Sequence, residues 1–326
     1  MAPLTGRALV AAMCLGQVGN LLPHVVVPAI MAQHLMPLWG LSAAQAGLKA
    51  LADRLPVGDI SRSVTLYTGS FSIGVGLSFL VAQLVADGYG WPAAFFVTGA
   101  GPLIMIFVCL WLAPRKPPPT HGHLLDFRPV LRNRAALGYI FGYGAHCFEL
   151  YGMRTWIVAF WTFVVARSDG TAPLGAVTVS VIITLLSLPA SVMGNEAALR
   201  YGRHRAITAV MIASGAIALA IGFNVEASPL LLLLLVFVYG LTVPADSGAL
   251  TSGTTASAVA MHRGATLALH STVGFGLSAL GAWGAGVALD AAGGPAQPTA
   301  WLALFLLLAA GILLGPFALW WSKADK

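Results

Sequence analysis

Residues 70–80 read SFSIGVGLSFL, and residues 270–280 read HSTVGFGLSAL. Aligned without gaps, Gly74, Gly76, Leu77, Ser78 and Leu80 face Gly274, Gly276, Leu277, Ser278 and Leu280, and Ile73 faces Val273. Each copy holds a small-xxx-small pair, Gly74/Ser78 in one and Gly274/Ser278 in the other. That spacing lets two helices in a membrane approach closely. A basic residue precedes each copy, Arg62 the first and Arg263 the second. The pattern is that of two related halves. Their offset of 200 residues is about the length of one six-helix bundle.

The composition around this repeat belongs to a membrane protein. Of 326 residues, 9% are charged and 58% hydrophobic, against about 25% and about 45–50% in a soluble domain. A soluble core of this size cannot absorb such an excess, and leaving it exposed causes aggregation. Apolar runs lie at 8–36, 65–86, 93–113, 135–166, 174–193, 206–224, 229–256, 264–290 and 299–321. They are too long for barrel strands and lack polar alternation, so they predict an all-α polytopic protein with about nine transmembrane helices. The first run has no clear cleavage site and reads as a span or anchor. Nine spans of about 20 residues use roughly 55% of the chain. This excludes a soluble enzyme, a nucleic-acid binder and a disulfide scaffold. The net charge of +6 sits in short loops, where it is a topology signal. Cys14, Cys109 and Cys147 all lie inside apolar runs without metal spacing and read as buried thiols.

The basic residues fall on one side. Arg115, Lys116, Arg128, Arg132 and Arg134 share the 114–134 loop; Arg200, Arg203 and Arg205 share the 194–205 loop; Arg263 precedes the eighth run, and Lys323 and Lys326 end the chain. The alternate loops carry Arg167 among Asp87, Asp169, Glu226 and Asp290. This bias predicts a plasma (inner) membrane protein with its basic loops and C-terminus in the cytoplasm. The 114–134 loop, with Pro117, Pro118 and Pro119, reads as a stiff linker. The expected organisation is an incomplete helical bundle of about three helices over 1–113, the linker over 114–134, and a complete six-helix bundle over 135–326.

At this point the chain resembles the major facilitator superfamily. Asn195–Arg205, NEAALRYGRHR, is similar to that family's loop signature, a small residue followed by Asp-Arg-x-Gly-Arg-Arg. Arg200, Gly202 and Arg203 match, whereas Leu199 stands where the family has Asp. Gly202 permits a tight reversal, and the arginines, Arg205 included, can anchor at phosphate headgroups. Gly47–Arg54, GLKALADR, looks like the end of the family's helix 4, joined almost directly to Leu41–Ala46, which resembles the start of helix 2. The resemblance implies two bundles working by alternating access, with helices 2–4 of the N-terminal bundle missing. Three is an odd number, so the first helix inserts with its N-terminus outside, fails to span, or forces the later helices to invert; the basic loops favour the first outcome.

Ionisable groups inside a membrane are expensive and are candidates for function. The run 135–166 is the richest, with Tyr139, Tyr143, His146, Glu149, Tyr151, Arg154 and Trp156. His146 and Glu149 are three apart and share a helical face. Arg154 is five from Glu149, about 140° around a regular helix, so the two meet only if Gly142, Gly144 and Gly152 interrupt the helix. In the functional reading Arg154 binds an anionic group, and Glu149 with His146 accepts and releases a proton. In the structural reading a Glu–Arg pair locks two helices. Asp246, after Pro244, sits either at the inner end of a cavity or at the cytoplasmic interface. Gln17, Asn20 and His24 form one polar stripe on the first helix. Tyr67 and His270 open the two repeated helices.

No HExxH, GxSxG, Walker or GxGxxG motif is present, so neither an enzyme nor an ATP-driven pump is expected, and no cofactor, metal or nucleic acid is implied. The expected function is secondary transport of a small anionic or drug-like solute, facilitated or proton-coupled. The alternative is a transport-incompetent remnant acting as a membrane interaction protein. The oligomeric state stays open; a homodimer could complete the missing wall.

Overall fold

The computed structural model describes residues 60–103 and 127–323. Gln17, Asn20, His24 and the run at 8–36 lie outside these residues. The chain divides into two units, Met1–Asp126 and Phe127–Lys326.

In the first unit, α1 (Ile60–Tyr89) and α2 (Trp91–Gly99) are joined at Gly90. A φ of +81° at Gly90 lets α2 start directly, with Pro92 in its first turn. α1 carries the first copy of the repeat, with Tyr67, Gly74 and Ser78 all buried.

The second unit holds a short α3 (Arg128–Leu131), then α4 (Arg134–Ala166), α5 (Ala176–Tyr201), α6 (Arg203–Phe223), α7 (Pro229–Thr242), α8 (Ser247–Ser257), α9 (Arg263–Ala291) and α10 (Pro298–Lys323). Asn133 caps α4, accepting from the Ala136 amide at 3.1 Å, and its Nδ2 donates to the Ser257 carbonyl at 2.7 Å. One side chain therefore ties the start of α4 to the end of α8. Among the described residues six helical stretches are long and apolar enough to cross a membrane: Ser61–Tyr89, Ala176–Tyr201, Arg203–Phe223, Pro229–Ser257, Ala260–Ala291 and Pro298–Lys323. α4, 33 residues long, is not among them, because Arg134, Glu149 and Arg154 dilute its apolar content. The protein is an all-α, multi-pass membrane protein.

α4 is the axis of the second unit and packs on α9 and α10. Its glycines make close approaches. A Cβ on Gly281 would strike the Phe148 carbonyl oxygen, and one on Gly152 would lie 3.3 Å from the Gly281 carbonyl oxygen. Toward the end of α4 that carries Arg167, an aromatic cluster fills the core. Phe160 meets Trp301 at 5.2 Å and Phe305 at 5.1 Å between ring centroids, both edge-on. Trp161 and Trp301 are fully buried, and their indole N–H groups donate to the carbonyls of Leu174 and Pro295.

Three expectations are corrected. The glycines of α4 do not interrupt it: Gly142, Gly144 and Gly152 admit Leu250, Leu277 and Leu308, and the ladder stays intact because close packing, not a break, is what they serve. The run 229–256 is not one helix. Pro244 has no N–H to continue the ladder, and the chain turns over 243–246 between α7 and α8. The loop placed at 194–205 shrinks to Gly202, since α5 continues through Asn195 to Tyr201 and α6 begins at Arg203. Gly202 makes that reversal with φ +91°, a value suited to glycine.

Candidate functional site

Polar side chains gather inside the second unit around the middle of α4. His146, twelve residues into the helix, is about 18 Å along it. Its Nδ1 lies 2.7 Å from Oδ1 of Asp246, with both side chains 1% exposed. The contact is an ion pair in distance without an aligned hydrogen bond. Asp246 is the residue immediately before α8. The helix break thus delivers a carboxylate to the depth of His146 rather than to the cytoplasmic interface.

The break is held by α5. Gly194 lies so close to the Ala245 carbonyl that a Cβ there would overlap its oxygen and stand 2.6 Å from its carbon. On either side along α5, hydroxyls bridge to α8. Ser191 Oγ and Ser247 Oγ are 2.9 Å apart, and Ser252 Oγ donates to Asn195 Oδ1 at 3.2 Å. Asn195 is therefore a buried crossing residue between α5 and α8. Arg200 at the end of α5 and Arg205 in the first turn of α6 are exposed, with Arg200 over the Tyr201 ring at 5.3 Å.

Glu149 lies one turn beyond His146 and is fully buried. Its Oε1 accepts from Ser214 Oγ on α6 at 2.9 Å and from the Tyr239 hydroxyl on α7 at 3.0 Å. Its Oε2 has no hydrogen-bond partner among the described residues. Arg154 is half-buried and donates to Ser187 Oγ on α5 at 3.4 Å. Because α4 is regular, the Glu149–Arg154 pair does not form. Five residues place the two on different sides of the helix, and each finds hydroxyl partners on a different neighbour. Ser214 and Tyr239 carried no signal in the sequence beyond one hydroxyl each in apolar runs.

His270 on α9 joins the group from the other side. Its Nδ1 is 3.2 Å from Thr254 Oγ1 on α8. Its ring stacks on Tyr143 at 3.9 Å and 19°, and Tyr143 stacks in turn on His146 at 5.6 Å and 23°. Gly274 makes room for the tyrosine: a Cβ there would be 2.5 Å from its ring. Ser278, one turn further on, is buried and donates to the Phe275 carbonyl of its own helix. His146, Asp246, Glu149 and His270 thus belong to one region, Arg154 of α4 borders it at Ser187 of α5, and Tyr67 lies in the first unit. Among the described residues no group of three His, Cys, Asp or Glu side chains could hold a metal ion.

No family model matches this sequence, and no curated protein matches it. Solved structures do. The human organic anion transporter MFSD10 (TETRAN) is 16% identical with a TM-score of 0.60, over 95% of this chain and 81% of that one. The major facilitator superfamily transporter FucP in its outward conformation is 14% identical with a TM-score of 0.53, over 95% of this chain and 83% of that one. A single-site variant of the E. coli fucose:proton symporter FucP matches over the same shares, at 15% identity and a TM-score of 0.53. At such identities the likeness is one of fold, and it agrees with the glycine-notched helices, the broken α7–α8 and the basic helix ends: this chain has the major facilitator superfamily fold.

Proposed function

We propose that the chain is a secondary transporter that moves a small solute across the plasma (inner) membrane by alternating access, coupled to protons. The observation that carries this reading is the His146–Asp246 pair, buried at the break between α7 and α8. Ionisable groups at membrane depth are costly unless they serve a pathway, and a discontinuous helix beside them is the usual setting of a coupling-ion site. The similar folds include an organic anion transporter and a fucose:proton symporter, which supports transport of a small solute with proton movement. Arg154, at the α4–α5 contact, is the cation that would meet an anionic group on that solute. Protonation of Asp246 removes its charge and loosens its hold on His146. The break, which rests on that pair and on the Gly194 crossing, then becomes free to rearrange.

The test uses proteoliposomes with a trapped pH-sensitive dye and a panel of organic carboxylates, sulfonates and neutral sugars. Addition of a transported solute moves protons in wild-type vesicles and fails to do so with Asp246→Asn. Proton movement by Asp246→Asn equal to wild type, or none with any member of the panel, overturns the reading.

A further inference from the structure

α4 holds both sides of the helix break. Asp246, just before α8, meets His146, and Tyr239, in the last turn of α7, meets Glu149 one helical turn further along α4. The second contact differs from the first. Glu149 is 0% exposed, so no water touches either of its oxygens. Its two hydroxyl partners, both buried, act on the same one. Ser214 donates to Oε1 at 2.9 Å, and Tyr239 donates to Oε1 at 3.0 Å. Each hydroxyl has one hydrogen to give, so neither can also serve Oε2. The Tyr239 ring is fixed in place, edge-on to Phe305 at 6.2 Å between centroids. Oε2 receives no hydrogen bond from any described residue.

That asymmetry is the pattern of a neutral acid. A carboxylate spreads its charge over two equivalent oxygens and needs donors on both. A carboxylic acid has one carbonyl oxygen that accepts and one hydroxyl oxygen that carries the proton. Oε1 with two donors fits the carbonyl, and Oε2 with none fits the hydroxyl. The groups that act on Glu149 are Ser214 of α6, Tyr239 of α7 and the Asp246 carboxyl at the break, and the last repels a second negative charge. On α4 itself, His146 is engaged with Asp246, and Arg154 reaches Ser187 on a different side of the helix. A buried charge left without compensation costs far more than one unmade hydrogen bond of a neutral hydroxyl.

We propose that Glu149 is a second proton-binding site, distinct from the His146–Asp246 pair, and that it carries its proton on Oε2 in this conformation. Release of that proton leaves a charge that no described group meets where α6 and α7 now stand. Release therefore requires those helices to move, bringing a donor or water to Oε2. The break then answers to two protons, one acting on α8 through Asp246 and one acting on α7 through Glu149. The site deepens the proton-coupled reading above and rests on it for its part in transport.

The probe is the carboxyl stretch in the infrared. The chain has three glutamates, Glu149, Glu196 and Glu226. Wild-type protein carrying carboxyl-13C glutamate, in nanodiscs at neutral pH, should show one isotope-shifted band of a protonated carboxyl. Glu149→Gln should remove it. Tyr239→Phe should move it to higher frequency, because the carbonyl oxygen loses one of its two donors. Raising the pH should bleach the wild-type band, and lowering the pH should restore it. No isotope-shifted band in wild type, a band that survives Glu149→Gln or ignores Tyr239→Phe, or one that no pH short of unfolding removes, overturns the proposal. The wild-type and Tyr239→Phe spectra decide the matter even where Glu149→Gln fails to fold. Coupled proton movement that persists in Asp246→Asn overturns the earlier reading but leaves this band in place, so the two fail separately.

Discussion

Replacing Gly194 with alanine tests the close crossing of α5 over the helix break. The added methyl overlaps the Ala245 carbonyl oxygen and lies 2.6 Å from its carbon and 3.1 Å from its Cα. All three atoms are backbone, so no side chain can swing aside. Carbon contacts are comfortable only beyond about 3.5 Å, so the two segments must part by roughly 1 Å. That strains the Ser191–Ser247 and Ser252–Asn195 bridges on either side of the contact. Overpacking of this kind costs about 1–3 kcal/mol, and loss of one buried hydrogen bond adds about 1 kcal/mol. Alanine returns at most about 1 kcal/mol through helix propensity. The net loss corresponds to a melting temperature lower by several degrees, at about 2–4 °C per kcal/mol for a unit of this size. Gly276→Ala is the control, because its Cβ would meet nothing within 4 Å; it should melt at or slightly above the parent. The assay is thermal unfolding in detergent, followed by size-exclusion recovery of the monodisperse peak. A Gly194→Ala protein as stable as Gly276→Ala refutes the argument.

Two further experiments probe the site and the reversal beside it. His146→Leu leaves the buried Asp246 carboxyl without its imidazole partner and should destabilise by about 3–5 kcal/mol, whereas His146→Leu with Asp246→Leu should recover most of that loss; the same melting assay reads the non-additivity. Gly202→Ala meets no atom within 4 Å, yet it must hold φ at +91°. Strain alone should cost about 1–2 kcal/mol, and a melt identical to the parent's would remove the turn argument.

Much of the fold is legible in the sequence. Arg263 and the run behind it predict α9, and the PLLLLLLVFVYG stretch predicts α7, because hydropathy and charge are local properties that a bilayer reads residue by residue. The site was legible only as a roster. His146, Glu149 and Asp246 stand out because ionisable groups are rare in apolar runs. Their pairing was not legible, since His146 meets a residue 100 positions away and Glu149 meets hydroxyls on two other helices. Glycine was the ambiguous letter. In α4 it suggested a break that close packing made unnecessary. The real break fell at Pro244, while Pro189 and Pro316 lack the same N–H yet sit inside continuous α5 and α10, so the packed structure and not the residue type decides which proline breaks its helix.

The sequence by itself determined a multi-pass helical membrane protein, because burial in lipid depends on composition along each helix. Only the tertiary structure decided that Asp246 faces His146 rather than the membrane surface, that Glu149 is bound by Ser214 and Tyr239 instead of Arg154, and that Tyr143 lies between two imidazoles. Those outcomes depend on the angles and close approaches at which helices cross, set by glycines such as Gly194, Gly274 and Gly281 acting on distant neighbours, and no single helix encodes them.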